Sequence, residues 1–138
     1  METNLSNLNE LFHLEEQDIR SYSPLTLAYI GDGIYELIIR TILVKKGNCP
    51  VNRLHKKASS LVKAAAQSGI IEKELTPKEL SVYRRGRNAH SPTMAKHATM
   101  ADYRRATGFE ALIGYLYLKE EYTRMITLIR MGIGEEIL

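Results

Sequence analysis

The sequence predicts an all-α protein, and three observations carry that reading. Apolar residues recur at three- and four-residue intervals along most of the chain, helix start and stop signals bracket those runs, and no Asn-Gly turn separates two alternating apolar stretches. In chain order, a short N-terminal helical segment contains Leu8, Leu11, Phe12 and Leu14. Ser23-Pro24 then offers a side-chain cap followed by proline at the first helical position, where the missing N–H has no partner to lose. The helix it opens runs to about Lys46: Lys45 and Lys46 suit the negative end of the helix dipole, and Gly47 suits the positive-φ residue that ends it. A second helix, about Val51 to Ser68, sets Arg53, His55, Lys56, Lys57 and Lys63 around Leu54, Ala58, Leu61, Val62 and Ala65, so it is amphipathic and basic. Thr76-Pro77-Lys78-Glu79 is a capping-box sequence, from which a helix should run to about Arg85 before Gly86 breaks it. Gly86 to His97, with Asn88 and Ser91-Pro92, reads as an exposed loop. Helical pattern resumes near Ala98 and passes through Tyr103, Phe109, Leu112, Ile113, Leu116 and Tyr117, and a last helix spans roughly Glu120 to Met131.

A length of 138 residues suits one domain, residues 1–138, and 44% hydrophobic with 25% charged residues exclude a disordered chain. A net charge of +3 is too mildly basic to imply a nucleic-acid partner without clustering. Cys49 is the sole cysteine, which excludes an internal disulfide framework and cysteine-rich zinc patterns and fits a reducing compartment, cytoplasm being the default. Met1 to Glu16 lacks the basic start and apolar run of a signal peptide, and no stretch of about 18 uncharged apolar residues occurs, so no membrane association is expected.

Two acids stand out against this background. Asp32 lies between Gly31 and Gly33 in the middle of a helix that is apolar on nearly every side, and each glycine there costs about 1 kcal/mol against alanine. Glu110 is the only charge in the run Thr107 to Leu118. A buried carboxylate needs a cation, hydrogen-bond donors or a proton. If the two helices pack with these faces together, the pair could share a hard divalent ion, magnesium above all. Glu36, four residues after Asp32 on the same face, would be a further ligand or an outer group. The bland alternative neutralises the acids with Arg40, Arg104 or Arg105.

The densest basic segment is Tyr83-Arg84-Arg85-Gly86-Arg87-Asn88-Ala89-His90, with Lys96, His97, Arg104 and Arg105 close behind; it reads either as a phosphate-binding surface or as a solvated face. His55, His90 and His97 form no zinc spacing, Gly31-Asp32-Gly33 is no nucleotide loop because it sits inside a helix, and Cys49 has no evident catalytic partner.

Leu27-Ala28-Tyr29-Ile30-Gly31-Asp32 resembles the signature of the ribonuclease III family: an aromatic, an aliphatic, Gly and Asp in a buried helix. Phe109-Glu110-Ala111-Leu112-Ile113-Gly114, followed by Tyr117-Leu118, is similar to the later signature that holds that family's metal-binding glutamate. The resemblance spans about Pro24 to Arg130 and leaves no room for the double-stranded-RNA-binding domain of the standard enzymes, as in the short bacterial Mini-ribonuclease III subgroup. Arg84 to Ala89 and Tyr103 to Glu110 are similar to segments of that subgroup. The resemblance implies an all-helical homodimer with a basic valley, Asp32 and Glu110 as catalytic and Mg2+-binding residues, and cleavage of double-stranded RNA to 5′-phosphate and 3′-hydroxyl ends. It also implies maturation of the 23S ribosomal RNA precursor. Lys56, Lys57, Arg84, Arg85, Arg87, Asn88 and Lys96 are the expected RNA-binding residues, and Tyr29 and Ile30 the expected dimer contacts. Leu25, Ala28 and Thr107 stand where the standard pattern has acids, so water is expected to complete the magnesium shell. The rival readings are a helical module that binds RNA without cutting it and a purely structural helical protein.

Overall fold

The structure, a computed structural model, describes residues 7–67, 70–89 and 100–134. All regular structure among these residues is helical. Helix α1 (Leu8–Leu11) and a 3-10 turn (Ile19–Ser21) lead into the long α2 (Pro24–Lys46). Then come α3 (Val51–Gln67), α4 (Ile70–Glu74), α5 (Pro77–Arg87), α6 (Met100–Leu118) and α7 (Tyr122–Ile133).

The start and stop chemistry works as the sequence predicts. Ser23 Oγ accepts the Thr26 N–H at 3.1 Å, and α2 ends at Gly47 with φ +146°, a conformation that side chains rarely tolerate. Thr76 and Glu79 form the reciprocal capping box at the head of α5, with Thr76 N to Glu79 Oε1 at 2.9 Å and Glu79 N to Thr76 Oγ1 at 3.2 Å. Helix α3 opens instead on the Pro50 carbonyl, which accepts the N–H groups of Arg53 and Leu54.

Helix α6 is the centre of the molecule. Its residues Thr107 to Phe109 and Ala111 to Leu116 are buried, and α2, α5, α3 and α7 all pack around it. A helix enclosed on most sides shows no polar face, which is why α6 carries almost no amphipathic signal in its sequence.

Three expectations about the elements need correction. Gly86 does not break α5; the helix continues to Arg87, and Gly86 is buried where a Cβ would stand 2.8 Å from the Ala111 Cβ. Its smallness serves the approach of α5 to α6, a requirement the local sequence does not display. The short α4 was not expected, and α7 lies two residues later than its apolar pattern suggested. The remainder of the expected loop, including His90, Lys96 and His97, and the expected helix start near Ala98 lie outside the described residues.

One buried ion pair ties distant elements together. Arg124 on α7 donates to both carboxylate oxygens of Glu79 at 2.8 Å each and, through Nη2, to the Glu74 carbonyl at 2.8 Å. Glu79 is 6% exposed, and so enclosed a carboxylate is tolerable only when paired and hydrogen-bonded. The guanidinium holds its carboxyl below the usual carboxylate range.

Candidate active site

The helix crossing determines which acids meet. Gly31 and Gly114 lie where α2 and α6 approach most closely: a Cβ at Gly31 would stand 2.7 Å from the Glu110 carbonyl carbon and 2.8 Å from the Gly114 nitrogen. A Cβ at Gly114 would in turn run into the Leu27 carbonyl. The backbone of Glu110 therefore rests on Gly31, the residue next to Asp32. Gly31 thus has a structural explanation: with Gly114 on the facing helix, it lets the two backbones come this close.

Electrostatics registers the proximity. The Glu110 carboxyl, half-buried on α6, is pushed up to about 8 by burial first, then by Asp32 and Glu36. That of Asp32 is raised by partial burial and then by Glu36. Asp32 is exposed, so the expectation that it is buried is corrected: it stands at the rim, with the half-buried Glu110 beneath it. Neither acid forms an ion pair among the described residues. Arg40 pairs with Glu36 at 3.0 Å, and Arg104 and Arg105 are exposed on α6 without reaching the acids. The neutralising-arginine alternative is thus not realised at Asp32 or Glu110.

Asp32 and Glu110, both raised in proton affinity by the acids beside them and neither with a counter-charge among the described residues, form a donor pair suited to a hard cation. No three His, Cys, Asp or Glu side chains among the described residues converge tightly enough to hold a metal ion by themselves. Magnesium, however, is commonly held by only one or two carboxylates with water and substrate phosphate making up the shell, so the pair fits it.

From sequence, the tyrosines of the two apolar helices, Tyr35 among them, read as core or interface packing first and as ligand contacts second. It is 2% exposed, meets Phe109 edge-on at 5.3 Å between ring centroids, and keeps its hydroxyl buried without a hydrogen-bond partner. Burial and the Glu110 charge both raise its pKa, so the phenol stays protonated. A tyrosine where phenylalanine would fill the same space was the available signal.

The expected RNA-binding residues fall in two groups. Lys56 and Lys57 are exposed on α3 and, with Lys46 at the end of α2, Leu43 and Ser60, line an open basic hollow. Lys46, read earlier only as a partner of the helix dipole, thus joins the basic surface. Arg84 and Arg85 project from the last turn of α5, and Asn88 caps it in exposed position. Arg87 is different: it is half-buried, lies over the Tyr83 ring and pairs with Glu72 at 3.3 Å. It is committed first to holding α5 against α4. His55 is exposed beside the apolar hollow between α2 and α3, and Cys49 is a free half-buried thiol.

Known proteins place this arrangement. The ribonuclease III domain family matches residues 25–121, which include both acids and the helices that carry them. The chain belongs to the ribonuclease III family. Within it, the chain is similar to proteins named Mini-ribonuclease 3. The Clostridium tetani protein is 48% identical over 86% of this chain and 82% of the relative, and the Thermoanaerobacter protein 44% identical over 87% of each. A crystal structure of a Fusobacterium nucleatum protein superposes with a TM-score of 0.73 at 30% identity, covering 85% of this chain and 92% of that one.

Proposed function

We propose that this protein is an endoribonuclease that cuts double-stranded RNA, with Asp32 and Glu110 as its catalytic, Mg2+-binding residues. The observation that carries the reading is the meeting of these two acids, uncompensated by any arginine or lysine among the described residues, at the α2–α6 crossing of a ribonuclease III domain. Bound there, magnesium would supply Lewis acidity toward the scissile phosphate and a nucleophilic water at neutral pH.

The chain's own residues do the rest. Asp32 at the rim and Glu110 beneath it would hold the cation, and so set where the phosphodiester sits against it. Glu36, tied to Arg40, adds negative potential that raises the demand for a cation. Lys56, Lys57, Arg84 and Arg85, together with Asn88 and Lys96, hold the duplex by its backbone, because the deep, narrow major groove of an A-form helix gives side chains little to read. Arg87 contributes from its place on the Tyr83 ring. The subgroup resemblance supports the finer reading: 23S ribosomal RNA precursor as substrate, 5′-phosphate and 3′-hydroxyl products, and a cytoplasmic homodimer. No described helix is long and apolar enough to cross a membrane.

The outward face of α2 supports the dimer. Tyr29 is 82% exposed, with Leu37 and Val44 also exposed on that side and Ile30 half-buried beside it. Sedimentation should give twice the chain mass of 15.7 kDa, and Tyr29→Asp should shift the distribution toward single chains; a wild-type monomer at micromolar concentration refutes the homodimer.

Purified protein incubated with a duplex RNA should cut it only when magnesium is present. Asp32→Asn should retain the duplex in a manner that weakens as salt rises, yet leave it intact. Normal cutting by that variant would remove Asp32 from the site, and retention without cleavage by the wild type would favour a non-catalytic RNA-binding module.

A further inference from the structure

We propose that the open hollow between the end of α2 and the middle of α3 seats a backbone phosphate of the duplex away from the cut, so that α2 sets how far the RNA must extend past the scissile bond. The inference rests on the reading of the α2–α6 crossing as the place where duplex RNA is cut. It adds Lys46 and Ser60 to the residues that hold the substrate, and a length requirement to its recognition.

The hollow, of about 470 Å³, is walled by Lys46 at the end of α2 and by Lys56, Lys57 and Ser60 on α3, over a floor of Leu43 and Leu61. The three lysines and Ser60 are exposed. None of the lysines forms an ion pair among the described residues, and no described acid lines the hollow. Ammonium groups gathered round one depression without a counter-charge repel one another and favour an anion between them. The Ser60 hydroxyl adds a neutral donor, and lysine with serine is a donor mixture that backbone phosphates commonly meet.

Placement along α2 ties the hollow to the cut. Asp32, Leu43 and Lys46 belong to one unbroken α-helix, and steps of eleven and fourteen residues bring Leu43 and Lys46 back to within about 40° of the side that carries Asp32. The helical rise puts them about 16 to 21 Å along the axis from Asp32. The other acid of α2, Glu36, is paired with Arg40 at 3.0 Å, so a polyanion running along this line meets a neutralised charge on its way. Because α6 packs against α2, the span between the two points is rigid. A duplex held at both fits by the spacing of its phosphates, whatever its bases.

The test maps the cut on a long duplex and then shortens the RNA toward it, one base pair at a time from either end. Retention by the full-length protein is measured in chelator, so that no turnover intervenes. Wild-type affinity should drop about fivefold once less than about 20 Å of duplex remains past the cut. Lys46→Ala should bind the long duplex weaker by a similar factor, show a salt slope shallower by about one, and be indifferent to the shortening. Lys45→Ala removes the same charge from a residue turned about 100° away, and should keep the wild-type response to shortening. A wild type indifferent to shortening, a Lys46→Ala that still responds, or a Lys45→Ala that does not, overturns the phosphate seat while leaving the function intact. A wild type that cuts no duplex overturns both.

Discussion

Glu110→Gln should lower duplex cleavage on the order of a thousandfold or more while making the cation-free protein more stable at alkaline pH. The two effects have one cause. In the unfolded chain this carboxyl ionises near its usual 4.5, whereas in the cation-free fold burial and the neighbouring acids hold it to about 8. Between those values the folded state binds a proton that the unfolded state has released, so the cation-free fold loses stability as pH rises through the window, by as much as a few kcal/mol. Glutamine cannot ionise, and the variant should not share this loss. Urea melts in chelator at pH 5.5 and 8.5 check it: the wild type should fall between them and the variant much less. Magnesium should then restore the wild type at pH 8.5 and leave the variant unchanged. An identical pH dependence in the two proteins would refute the assignment of Glu110 as the strained acid.

The second large effect belongs to the crossing itself. Gly31→Ala should destabilise the fold by about 3 kcal/mol or more, at the upper end of overpacking, because the added Cβ meets backbone atoms of Glu110 and Gly114 that no rotamer change can move aside. Relief requires α2 and α6 to separate, which opens the Tyr35–Phe109 contact and pulls the acids apart. Gly33→Ala is the matched comparison, since nothing lies within 4 Å of its added Cβ, and it should gain up to about 1 kcal/mol from helix propensity. Equal stability of the two variants by urea melt would show that the helices do not cross at Gly31.

Much of this architecture is readable from local chemistry. Ser23-Pro24 and Gly47 bound α2 because caps and positive φ are properties of single residues, and Thr76 with Glu79 announces α5 in the same way. What the sequence withheld are the consequences of packing. Gly86 looks like a helix breaker until Gly108 and Ala111 are seen beside it, and Arg87 looks like a free phosphate ligand until Glu72 and Tyr83 are found to hold it. The meeting of Asp32 and Glu110 was expected as a conjecture from two anomalous acids and from family resemblance. The rim position of the first and the depth of the second depend on how α2 is rolled against α6, which no local pattern records. The Tyr35 hydroxyl's lack of a partner was not readable, because it is visible only when its surroundings are known.

The guanidinium of Arg124 closes bonds to groups 45 and 50 residues earlier in the chain. During synthesis, then, Glu79 lacks this counter-ion until residue 124 has been made, and α5, though its first turn is capped locally, cannot complete its docking until α7 arrives. Shortened chains that stop before residue 124 should be caught half-docked and prone to degradation, which makes the last helix the latch of assembly.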